Sequence, residues 1–109
     1  TDISILQNKV IIRVDDAKFS MFTDTHSMDP IIDKEAIAID ITPKNESDIY
    51  IGDIISYRYR DISIMHRVID IGKDDIGWYA ILKGDNNDEI DPEKVRFSQI
   101  DRVVIGILY

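Results

Sequence analysis

Ser63-Ile64-Met65-His66-Arg67-Val68-Ile69-Asp70-Ile71 is the stretch that decides how this chain is read. Five of its nine residues are apolar and three of those are β-branched isoleucines, so it is read as a strand. Gly72-Lys73-Asp74-Asp75 follows as a hairpin-type connection. Ile76 to Leu82, which carries Trp78 and Tyr79, then reads as the partner strand. One antiparallel pair thus sits in the second half of the chain, and the rest is read outward from it.

Toward the N-terminus, Gly52-Asp53 introduces another strand, Ile54 to Arg58, and Asp61 marks a turn between the two. Ala36 to Ile41 alternates, with Ile37, Ile39 and Ile41 on one side and Ala36, Ala38 and Asp40 on the other, the pattern of a half-buried strand. Lys9 to Val14 reads as the first strand, and Asp15 to Pro30 as a polar, irregular stretch. Thr42 to Asp48, with Pro43, reads as a loop. Toward the C-terminus, Gly84 to Glu93 is a polar loop and Arg102 to Tyr109 a last strand. Sustained helical periodicity is absent; single turns are expected at Ile31–Glu35 and Ser98–Asp101. The fold class is therefore mostly β, an antiparallel coiled sheet or barrel with few or no helices.

A chain of 109 residues makes one domain, 1–109, with a single modest core. Its 44% hydrophobic and 31% charged residues suit a globular protein. The net charge of -8 shows no basic stripe, so a nucleic-acid partner is not expected. With no cysteine and two histidines, neither a disulfide framework nor a structural zinc site is expected, and no other cofactor is implied. The chain starts at Thr1 and stops within the apolar run Val103 to Tyr109. The expectation is a soluble piece of a longer protein.

Three patches carry chemistry: Ser27-Met28-Asp29-Pro30, His66-Arg67-Val68, and Lys83-Gly84-Asp85-Asn86-Asn87 with Asp91 beyond. Together they supply a nucleophile, a base and an orienting acid. Each also has a plainer explanation. A loop serine is usually just solvated. His66 shares a strand face with Ile64 and Val68, and a histidine on an apolar face is usually a satisfied core residue. Gly84-Asp85-Asn86-Asn87 is a turn signal in its own right. His26 adjoins Ser27, but neighbours in an extended segment point apart, so it is poorly placed as the base and is read as a loop or substrate-side residue.

The order of the patches changes the balance. Ser27-Met28-Asp29-Pro30, Gly52-Asp53, His66-Arg67-Val68 and Lys83 through Asn87 resemble the motifs of type I signal peptidases of the archaeal and endoplasmic-reticulum type. The resemblance runs from about Thr25 to the C-terminus. It implies a mostly-β peptidase fold with Ser27 as nucleophile and His66 as base, where bacterial relatives use a lysine. It places the completing acid at Asp91, with Asp85 supporting the site or its loop. The implied reaction is removal of signal peptides from secretory preproteins after a small residue. The implied partners are those signal peptides and, through an anchor outside this sequence, the membrane surface at its extracytoplasmic or lumenal side. Two departures stand out: His26 replaces the glycine often found before the serine, and the family's N-terminal anchor helix is missing. The alternatives are a self-cleaving repressor-type peptidase domain, which would use a lysine base, and a non-catalytic β-barrel interaction module.

Overall fold

The structure is a computed structural model that describes residues 2–21, 27–29 and 36–108. Eight strands run in chain order: β1 (Asp2–Leu6), β2 (Lys9–Arg13), β3 (Lys18–Met21), β4 (Ile37–Ile41), β5 (Ile54–Tyr59), β6 (Ile62–Asp74), β7 (Gly77–Lys83) and β8 (Ile100–Leu108). The described helical structure is two 3-10 turns, Glu46–Asp48 and Phe97–Gln99. The chain is mostly β and its pairings are antiparallel, as expected.

β3 to β8 form one six-stranded sheet in the order β3-β4-β8-β5-β6-β7. It is open rather than closed, so of the two expected shapes the sheet is the one observed. The register shifts between Val68 and Asp70, between Ser56 and Tyr57, and between Ile39 and Asp40. Each shift is a bulge, which bends its strand and increases the local twist. The bulge at Ile69 also changes which side chains face the core. Val68 lies opposite Leu82 and Ile71 opposite Ala80. Leu82 and Ala80 are two apart on β7, so Val68 and Ile71 share a face although they are three residues apart.

That face carries the main core: Ile49, Ile55, Tyr57, Val68, Ala80, Leu82, Val95, Ile100 and Val103. A fully buried aliphatic side chain such as Ile55 or Leu82 contributes about 1.5–3 kcal/mol relative to exposure. The opposite face carries a smaller cluster, in which Met28, Ala36 and Ile54 pack with Met65, Val104 and Ile107.

Several strand limits differ from expectation for local reasons. The β6–β7 turn is at Asp75-Ile76, two residues later than the glycine-led connection suggested. Gly77 adopts φ +126°, which an L side chain rarely tolerates. The Asp74 carboxylate accepts from the backbone N–H groups of Ile76 and Gly77 and closes the turn. β3 lies inside the stretch read as irregular, because its pairing with β4 is long-range and leaves little local signal. β1, ahead of the first strand expected, pairs with β2 in a separate two-stranded sheet. Ile3, Ile5, Val10 and Ile12 line one exposed face of it. On β4 the small and acidic side is the one fully buried, with Ala36, Ala38 and Asp40 at 0% exposure. Arg102 makes this possible by donating Nε to Asp40 Oδ1 at 2.7 Å.

Candidate active site

Antiparallel pairing puts directly opposed residues on the same face of the sheet. Ile55 lies opposite His66 and Tyr57 opposite Ile64, so His66 and Tyr57 project from the same face, the one that carries the main core. His66 is 8% exposed. Its neighbours Met65 and Arg67 project from the other face.

The segment after β7 brings in the acids. β7 is one of the two edge strands of the sheet. The returning chain covers that edge: Ala80 and Val95 exchange backbone hydrogen bonds at 2.8 and 2.9 Å, and Asp91 N–H donates to Leu82 O at 2.7 Å. Covering an edge satisfies its unpaired backbone groups and blocks unwanted pairing. Here it also fixes Asp91 above the His66 face, 9% exposed.

His66 Nδ1 lies 2.8 and 2.7 Å from the two Asp91 carboxylate oxygens, and Nε2 lies 3.2 Å from Ser27 Oγ. Tyr57 donates its hydroxyl to Asp91 Oδ2 at 2.5 Å. Burial alone would push the Asp91 carboxyl up. The hydrogen bonds from His66 and Tyr57 outweigh it and hold the group below its ordinary value. Burial, and then the bond to Asp91, push the Tyr57 phenol far above its ordinary value, so it stays a donor. An ionised carboxylate only accepts. Nδ1 must then carry the imidazole proton, and Nε2 is left as an acceptor facing the serine hydroxyl.

Asp85 is held elsewhere. Arg67 donates Nε and Nη2 to the two Asp85 oxygens at 2.8 and 2.7 Å, and Nη1 to Gly52 O at 2.8 Å. That fork-to-fork pair is on the Met65 face of β6. Its loop also grips the serine segment. Asn86 N–H donates to Ser27 O at 2.7 Å, and Asp85 N–H to Met28 Sδ at 3.2 Å. Gly84 is required by this contact, since a Cβ there would stand 2.7 Å from Ser27 O and 2.6 Å from Asn87 Nδ2. Met28 is a core side chain of the smaller cluster, 4% exposed.

The structure thus brings Ser27, His66 and Asp91 into one chain of contacts and ties Asp85 to Arg67. His26 and the turn expected at Ile31–Glu35 lie outside the described residues. Sequence reasoning missed Tyr57. Its alternation with Ile55 on one strand face was visible, but the side chain opposite depends on register. No helix among the described residues is long and apolar enough to cross a membrane. Compared with family models, curated proteins and solved structures, the chain matches none of them.

Proposed function

We propose that this domain is a serine endopeptidase of the signal peptidase type, with Ser27 as nucleophile, His66 as general base and Asp91 as the orienting acid. The observation that carries the reading is the continuous path Ser27 Oγ–His66 Nε2, His66 Nδ1–Asp91. The motif order in the sequence supports it independently. A self-cleaving repressor-type site would need a lysine at the serine hydroxyl, where His66 stands.

In this mechanism His66 Nε2 takes the Ser27 proton as Oγ attacks the scissile carbonyl. The imidazolium that forms is stabilised by Asp91, and the backbone N–H of Ser27 donates to the oxyanion. His66 then protonates the leaving amine, and water enters to release the acyl-enzyme. The substrate is a signal peptide, bound extended and cut after a small residue.

The test is cleavage of a signal-peptide substrate in detergent. Ser27→Ala and His66→Ala are each expected to lower kcat by on the order of 10^6-fold with the fold intact. Wild-type activity in either variant would end the reading.

A further inference from the structure

We propose that Tyr57 is a positioning residue of this site: its hydroxyl locks the Asp91 carboxylate in the orientation that His66 requires. The kinetic part of this inference rests on the endopeptidase reading; the structural part does not.

The Asp91 backbone N–H is held by Leu82 O. At the side chain, His66 Nδ1 is shared between both carboxylate oxygens, at 2.8 and 2.7 Å, and leaves lone pairs on each. Tyr57 supplies a second donor, to Oδ2 at 2.5 Å, from a ring that is 2% exposed and held in the main core. The ring comes from β5 and the imidazole from β6, so the carboxylate is fixed by donors on two strands. Among the described residues, the titratable side chains hydrogen-bonded to Asp91 are His66 and Tyr57.

The hydroxyl also competes for the carboxylate's charge. A donor that stabilises the ionised form keeps Asp91 ionised into acid, so the carboxylate continues to accept from Nδ1 and Nε2 stays the nitrogen that faces Ser27. Tyr57→Phe removes the donor and keeps the ring that fills the core. The sign follows: the Asp91 carboxyl should titrate at higher pH in this variant.

The experiment compares wild type, Tyr57→Phe, and protein carrying 3-fluorotyrosine at position 57, whose more acidic phenol is a stronger donor. Asp91 is followed by carbon-13 NMR of its carboxyl, and His66 by its Nδ1–H proton resonance. The phenylalanine variant should titrate Asp91 at higher pH, shift the Nδ1–H resonance, and lose about 10- to 100-fold in kcat with KM unchanged. The fluorinated protein should move the Asp91 titration in the opposite direction. An Asp91 titration that is the same in all three proteins would overturn the proposal. Because that readout needs no turnover, it still decides on Tyr57 if the wild type hydrolyses no signal peptide, a result that would count against the endopeptidase reading alone.

Discussion

The two faces of the sheet at β6 are built from the same short segments and do different things. On one face Ser27, His66 and Asp91 form a chain of contacts that can move a proton. On the other, Met28, Arg67 and Asp85 form a clamp. Each segment contributes to both: Ser27 and Met28 are adjacent, as are His66 and Arg67, and Asp85 and Asp91 come from one loop. For His66 and Arg67 the alternation of an extended strand makes this division automatic, while the two acids are parted by the loop's return along β7. The lesson is that the motif residues flanking a reactive side chain belong to its support. An arginine beside a histidine in a strand cannot share its task, but it can hold the loop that delivers the acid.

The division can be broken at four points. The largest effect is expected at the acid itself. Asp91→Asn keeps the shape but can present an N–H to His66 Nδ1 and favour the wrong tautomer, so kcat should fall by about 10^4-fold. Asp85→Asn should not approach that loss; an equal loss in both variants would mean the two faces are not separate. Next comes the contact that joins them. Gly84→Ala would force a Cβ against the Ser27 carbonyl at 2.7 Å, and backbone cannot yield as a side-chain tip can. A displacement of the nucleophile of about 1 Å would cost about 10^2-fold in kcat. Single-turnover kinetics would separate this from weaker substrate binding.

Smaller again is the clamp. Asp85→Asn weakens the fork to Arg67, whose partners are 31% and 19% exposed at the side chain. Allowing for solvent screening, the loss should be about 1–2 kcal/mol of stability, read from the urea midpoint, with about a tenfold drop in kcat. A large kcat effect with no change of midpoint would instead place Asp85 on the chemical face. The smallest effect is in acid. Asp91 is held below its ordinary value in the folded state, so its stabilising contribution is complete above the unfolded value of about 4 and is lost as pH falls through the lower, folded one. Asp91→Asn should therefore flatten the fall in the urea midpoint between neutral pH and the acid side of that window. An unchanged slope would mean that His66 and Tyr57 do not stabilise the carboxylate.

Much of this was readable along the chain. The alternation of Ala36 to Ile41, the turn residues, and the apolar run containing His66 each reflect a two-residue period, which is a local property. So the mostly-β class and β2, β4, β5, β6, β7 and β8 were legible in outline. β3 was not, because a four-residue strand held by pairing has no pattern of its own. The turn at Asp75-Ile76 was misplaced because Gly72 and Gly77 compete as turn signals, and the Asp74 side chain decides between them.

Within the site, sequence alone determined the kinds of group available: a serine in a polar, irregular stretch, a histidine on an apolar strand face, and two acids in one loop. It also put His66 and Arg67 on opposite faces, since neighbours in a regular strand segment alternate. Which acid meets the histidine was a matter for tertiary structure. Asp85 and Asp91 are six residues apart in a loop without periodicity, and their separation came from the loop turning back along the β7 edge to hydrogen-bond with Leu82 and Ala80. Tyr57 likewise reached Asp91 only through the register of β5 against β6. Side-chain chemistry and strand period are written locally, while register and loop return are fixed by hydrogen bonds between distant residues, and those distant bonds assembled the site.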